Sequence, residues 1–203
     1  MIKRSSKKFI DNLLQSNEKW KILDIGCGFT AHKSASVICD IQDLQDFYKD
    51  KKFIKLTEKT LPFKNKEFDF VIASHVLEHV EDPAFFIKEL ERVSIQGYIE
   101  LPTILEDNLV FENKKDHIWH MEFDDVESQL IVSKKIQFME PVLTVSSIKK
   151  FSEYFRQSLI LELHWKDTID YKIEDKNILG EYKISRLVLL RKFLSKLIRN
   201  LIR

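Results

Sequence analysis

The sequence predicts one α/β domain built on a doubly wound, mostly parallel sheet with helices on both faces. Three observations carry that expectation. Short apolar runs alternate with stretches of helical spacing through residues 20–101, and such alternation implies right-handed βαβ units. The first run, Trp20-Lys21-Ile22-Leu23-Asp24-Ile25, passes directly into Gly26 and Gly28, which reads as a strand ending in a tight turn. A later run, Phe68 to Ala73, is almost uninterrupted, as expected of a parallel strand covered on both faces.

Ahead of the first run, Ser5 or Ser6 can cap a helix to about Gln15, with Phe9, Leu13 and Leu14 at helical spacing. Val37 to Asp40 is a second strand, and Ile41 to Asp50 a helix with Leu44, Phe47 and Tyr48 on one side. Phe53 to Leu56 is a third strand and Phe68 to Ala73 a fourth. Asp82-Pro83 starts a helix to about Val93, because aspartate caps and proline suits the first turn. Gly97 to Leu101 is a fifth strand, stopped by Pro102. Residues 103–145 interrupt the rhythm, with strands expected at Ile118–Phe123 and Gln129–Ser133, and an insertion after the fifth strand is where a substrate cap would sit. Ser146 or Ser147 caps a helix to about Phe155, and strands are expected at Leu159–Trp165 and Ile184–Leu190. No repeat or low-complexity linker divides residues 1–190, which read as one domain.

A chain of 203 residues can bury roughly two thirds of its unfolded surface, so neither metal nor disulfide is needed as a staple. The balance of 44% hydrophobic and 32% charged residues is that of a soluble globular protein. Cys27 and Cys39 are the two cysteines, which suits a reducing cytoplasm. The basic N-terminus lacks the apolar stretch and cleavage site of a secretory signal, and no run of about 18 apolar residues is present to cross a bilayer. Charge is unevenly placed. Residues 191–203, RKFLSKLIRNLIR, hold five basic side chains and no acid, whereas residues 1–190 hold 28 basic against 32 acidic. Phe193/Leu194, Leu197/Ile198 and Leu201/Ile202 recur four apart, with Lys192, Lys196, Arg199 and Arg203 opposite. So short a basic amphipathic helix needs a surface: this domain, another subunit, or the anionic inner face of a membrane as a peripheral contact. The body of the domain is not basic, which argues against nucleic acid as a partner.

In open α/β sheets, ligands bind beyond the carboxyl ends of the strands, where strand order reverses. KILDIGCG places Asp24, Gly26 and Gly28 at such an end, and glycine there lets backbone approach a ligand. Asp40 closes the second strand twelve residues after Gly28, and its carboxylate can accept two bonds from ribose hydroxyls. The dinucleotide fingerprint is incomplete, since Gly28 is followed by Phe29-Thr30-Ala31-His32 without a third glycine. A nucleoside cofactor without a pyrophosphate fits better.

The series LDIGCG, VICDIQD, LPFKNKEFDFVIASHVLEHVEDP and GYIELP, spread over residues 21–102, resembles the signature series of the Rossmann-like class I methyltransferases, in particular their small UbiE-like branch. The resemblance implies S-adenosylmethionine as cofactor. It implies that Asp24, Gly26, Cys27 and Gly28 surround its methionine and ribose parts, that Asp40 holds the ribose hydroxyls, and that Ile41 packs on the adenine. Leu61 would close the adenine pocket, and Ser74, His75 and Val76 would line the sulfonium end, with His79 orienting the loop beneath the methionine. The family has a further small residue near Thr30, and an aspartate for the adenine amino group where this chain has Thr57 and Glu58.

His75-Val76-Leu77-Glu78-His79 also matches the H-x-x-E-H pattern of inverted zinc peptidases, which requires the motif in mid-helix. Here it follows a strand and precedes Asp82-Pro83, so the preferred reading assigns no metal. His75, Glu78 and His79 remain the alternative ligand set.

Methyl transfer requires alignment of the acceptor and, for a hydroxyl, removal of its proton. His117 and His120 in KKDHIWHMEFDD are the candidate bases by position, and Trp119 between them is the candidate for stacking on a sugar ring. The combination of these motifs with an H-x-W segment resembles methyltransferases associated with surface-polysaccharide synthesis, which implies O-methylation of a glycan or lipid-linked small acceptor. A cofactor-binding but non-catalytic domain is the alternative.

Overall fold

The computed structural model describes residues 1–175 and 184–201. A seven-stranded sheet has the order β1-β9-β6-β5-β2-β3-β4, with β1 at Ile2–Arg4, β2 at Ile22–Ile25, β3 at Val37–Asp40, β4 at Lys52–Lys55, β5 at Phe70–Ser74, β6 at Gln96–Pro102 and β9 at Ile160–Lys166. The five strands β6, β5, β2, β3 and β4 are parallel, while β9 and β1 extend one edge antiparallel. The chain fills the sheet outward from β2 to β4, then returns to the other side of β2 for β5 and β6. The order therefore reverses between β2 and β5.

Side chains alternate across the pleat into two cores. Ile22, Ile38, Phe53, Phe70, Ile72 and Tyr98 face α1 (Lys7–Gln15), which buries Ile10 and Leu14 against them. Leu23, Ile25, Val37, Cys39, Val71, Ala73 and Ile99 face α2 (Pro83–Val93) with its Phe86, Ile87, Leu90 and Val93. The caps follow the expected chemistry: the side chains of Ser6 and Asp82 accept bonds from the Phe9 and Phe85 amides.

The insertion is folded. It comprises α3 (Ile104–Leu109), α4 (Asn113–Asp116) and a hairpin of β7 (Trp119–Asp124) and β8 (Gln129–Lys134). A further strand, β10 (Tyr171–Glu174), joins β8 in a three-stranded sheet. Trp119, Met121, Leu130 and Val132 of this sheet share the core of α2, and α5 (Val145–Leu159) leads into β9.

Two expected elements differ. Residues 41–50 form turns, because the Asp40 side chain accepts from the Gln42 amide and Asp43 from that of Gln45, local bonds that compete with a helix. Residues 186–190 are helical and not a strand: they open α6 (Arg186–Leu201), with Ser185 Oγ accepting from the Leu187 amide and Glu140 from that of Arg186. No residue of α6 is buried, and it carries no acidic side chain. Ile202 and Arg203 of the expected tail helix lie outside the described residues. No helix among the described residues is long and apolar enough to cross a membrane.

Candidate active site

The site lies where strand order reverses. Beyond β2, Gly26 and Gly28 adopt φ of +65° and +48°, and the Gly26 and Cys27 amides both donate to Cys39 O, which ties the turn to β3. An ideal Cβ on Gly26 would stand 2.4 Å from Cγ2 of Val76, so no side chain fits. A Cβ on Gly28 would meet nothing within 4 Å; it would project into open space. Asp24 accepts from the His32 amide at 2.7 Å, and Asp40 from the Gly28 and Gln42 amides at 2.9 Å each. Tyr48 pins the loop from outside, donating to Gly28 O and accepting from the Ala31 amide. Burial raises the Asp24 carboxyl to about 6 against the hydrogen bond from His32, and raises the Cys27 thiol to about 12, aided by Asp24 and Asp40. Cys27 is therefore a packing residue and no nucleophile at neutral pH.

Two cavities meet along this turn, sharing Gly26, Gly28, His75 and His79 as walls. The first, about 740 Å³, also takes in Asp40, Ile41, Thr57, Glu58, Leu61 and Val76. Ile41 stands at its mouth 75% exposed, an apolar surface left uncovered by the protein itself. The second, about 660 Å³, is more polar and includes Asp24, Cys27, Ser74, Glu106, Asp116 and His117. All thirteen residues expected at the cofactor thus border one cavity or the other.

His75 forms the seam. It follows β5 with φ of +54°, a left-handed conformation costly for a residue with a side chain. Its amide donates to Glu100 O, and its ring faces two carboxylates, Nδ1 3.2 Å from Glu78 Oε1 and Nε2 3.4 Å from Glu100 Oε1. Burial in the cavity wall opposes the charge, yet the two acids outweigh it and hold the imidazole protonated, with its pKa raised to about 10, although 39% of the side chain is exposed to the cavity. Glu100 is in turn bonded by Tyr98 and by Arg156, whose Nη2 lies 2.6 Å away. With both ring nitrogens committed, His75 is unavailable to a metal, and the 75–79 segment is a turn after β5 and no mid-helix peptidase motif.

The insertion supplies the far wall. His117, just past α4, places Nδ1 2.5 Å from Oδ1 of Asp107, which is wholly buried on α3. A carboxylate accepts, so Nδ1 carries the proton and Nε2 keeps the lone pair. The His79 ring crosses that of His117 edge-on at 4.5 Å, and its Nδ1 donates to Asp116 O at 2.9 Å. Glu78 is fully buried, and its Oε2 has no hydrogen-bond partner. One ligand atom from each of Glu78, His79 and His117 can be chosen so that all lie within 4.8 Å of one another.

Two expected acceptor-side residues fall elsewhere. Trp119 packs in the main core, donates its indole N–H to Val80 O and lies under Lys134 Nζ at 3.7 Å, so its ring is not offered to a substrate. His120 is 2% exposed, near-parallel to Phe138 and 3.8 Å from Asp107 Oδ2; it borders neither cavity. Alternation along β7 accounts for both, since His117 precedes the strand and the next residues are drawn into its two faces. Glu106, Asp107 and Asp116 carry no signal in the sequence, because nothing in ILEDNL or NKKD marks an acid as facing the chamber or the core.

Residues 23–99 match the family model described as a methyltransferase domain. An uncharacterised protein of Methanocaldococcus jannaschii is 29% identical over 180 residues, covering 78% of this chain and 73% of the relative. Among solved structures, the PH0226 protein of Pyrococcus horikoshii is similar at 16% identity and a TM-score of 0.44, covering 80% of this chain and 92% of that one. The YcgJ protein of Bacillus subtilis is similar at 15% identity and 0.40, and the match spans about half of each chain, 53% in both. The glycine turn and the parallel strands around it lie within the segment, residues 23–99, that matches the methyltransferase-domain model. The cofactor is S-adenosylmethionine, and the residues present fit it. Gly28 leaves open space where a side chain would intrude, Asp40 is fixed by two amides at the end of β3, and Ile41 offers an apolar face beside it.

Proposed function

We propose that the protein O-methylates a hydroxyl-bearing acceptor of the glycan or lipid-linked small-molecule class. The observation that carries this reading is the His117–Asp107 pair, an imidazole held by a buried acid through Nδ1 and lining a polar chamber that shares its wall with the cofactor pocket. S-adenosylmethionine supplies an already activated methyl group. The protein's part is to align the acceptor oxygen and take its proton. The neutral His117 ring would take the acceptor's hydroxyl proton at Nε2 as the methyl group is transferred. Asp107 stabilises the resulting imidazolium and fixes the ring. His75, already charged, does not compete for that proton. Glu106, Glu112, Asn113, Asp116 and Arg156 border the chamber and supply hydrogen-bonding groups suited to a polyhydroxylated acceptor. The exposed α6, apolar on one side and basic on the other, supports a peripheral contact with an anionic membrane, where a lipid-linked acceptor resides.

The test is transfer of labelled methyl from S-adenosylmethionine to membrane-extracted lipid-linked saccharides. Label in the saccharide fraction is expected. Transfer confined to quinone precursors or to protein refutes the acceptor class, and cofactor binding without any transfer refutes catalysis.

A further inference from the structure

We propose that Glu78, His79 and His117 form a binding site for one divalent transition-metal ion of the zinc or cobalt type. The donor set comes from two separate segments, the turn after β5 and the end of α4, and each donor is prepared independently. Glu78 is completely buried, with Oε1 bonded to His75 and Oε2 left without a partner. A buried carboxylate oxygen with no donor carries a desolvation cost that the His75 contact to Oε1 offsets only in part. His79 commits Nδ1 to a backbone carbonyl and His117 commits Nδ1 to a carboxylate, so in the neutral form of each ring Nε2 carries the lone pair a metal would take. These are the outer contacts that orient ligating histidines in metal sites.

The spacing agrees. Bonds of about 2.1 Å in tetrahedral geometry place ligand atoms roughly 3.4 Å apart, and one ligand atom from each of the three residues can be chosen so that all lie within 4.8 Å of one another. Small rotations of His79, an exposed side chain, close the difference. Three protein ligands leave a fourth position open, the pattern of a catalytic and not a structural site. Because His79 and His117 border the polar chamber, that position faces it.

The ion's role rests on the O-methyl transfer proposed above. It would hold the acceptor hydroxyl and lower its pKa, so that the proton leaves to water in the chamber. With the ion bound, the His117 lone pair is spent on the metal, and the imidazole route belongs to the metal-free protein.

The full-length protein, stripped with a chelator, is titrated with Co²⁺ followed by its visible absorption and with Zn²⁺ against a chromophoric competitor. One equivalent is expected, with affinity falling at least 100-fold in His79→Gln and in Glu78→Gln, and by roughly 10- to 100-fold in Asp107→Asn through loss of the outer contact. His79 is exposed, so its variant keeps the fold even if the buried Glu78 variant does not. Absence of stoichiometric uptake, or wild-type affinity in His79→Gln, overturns the site. Calorimetry with S-adenosylmethionine on the same preparation separates the two readings: cofactor binding without metal uptake sinks the ion alone, and metal uptake without cofactor binding sinks the methyltransferase reading alone.

Discussion

Asp107 Oδ1 lies 2.5 Å from His117 Nδ1, joining a wholly buried acid on α3 to a histidine at the wall of the polar chamber ten residues later. The pair fixes which ring nitrogen bears the proton. Asp107→Asn removes that preference, since an amide can donate as well as accept. Methyl transfer is expected to fall by roughly 10²- to 10⁴-fold, with S-adenosylmethionine affinity by calorimetry unchanged, because Asp107 borders neither cavity.

The two glycines of the turn separate strain from occupancy. Gly26→Ala drives a methyl group into Val76 and adds the cost of a left-handed residue, roughly 1–2 kcal/mol for the conformation alone, so its melting temperature should fall clearly. Gly28→Ala meets no protein atom and incurs the conformational cost only, but its methyl points into ligand space. Its loss should show more in cofactor affinity than in the melting curve.

Acid sensitivity should centre on Glu100. Burial would raise its carboxyl, but His75, Arg156 and Tyr98 outweigh that and hold it down to about 2. A carboxylate depressed in the folded state contributes stability that is complete above its ordinary 4.5 and is lost as pH falls toward 2. Asp24 has the opposite sign: raised to about 6, it favours the folded state below 3.8 and that contribution disappears as pH rises through 6. Glu100→Gln leaves Arg156 and His75 under-compensated and should cost roughly 3 kcal/mol at pH 7. Denaturant titrations at pH 3 and pH 7 should show the gap between wild type and variant narrowing in acid.

Removing residues 191–203 should leave the melting temperature unchanged, since none of the described residues of that segment is buried. The same truncation should abolish co-sedimentation with anionic vesicles. Retained sedimentation would place the membrane contact elsewhere.

Strands β2, β3, β5 and β6 were legible because each is an almost fully buried run, and the cofactor turn because its glycines and acids sit at the ends of those runs. Contacts set by distant partners were not. β1 buries only Ile2 of its three residues and β10 none of its four, so neither has an apolar run to announce it. Ser185-Arg186-Leu187-Val188-Leu189-Leu190 reads equally as strand or helix over so short a window, and the helix prevails because it is continuous with the amphipathic pattern that follows. On the acceptor side, proximity in sequence grouped His117 with Trp119 and His120, whereas the true neighbours are Asp107, His79 and Glu78. Their meeting depends on how α3 and α4 fold back over β5, which no local pattern encodes.

The hairpin of β7 and β8 spends its inward face on the shared core, where Trp119, Met121, Leu130 and Val132 belong to the same buried cluster as the inner side chains of α2. Within the insertion it is the short helices ahead of the hairpin that border the chamber, together with α1 and α5 from outside it. If the chamber takes the acceptor as proposed, acceptor choice can be rewritten at Glu106, Glu112, Asn113 and Asp116, whereas diversity introduced into the hairpin's inward positions would erode the buried core. A library meant to test the acceptor proposal belongs at those four positions, with Asp107 and His117 held fixed.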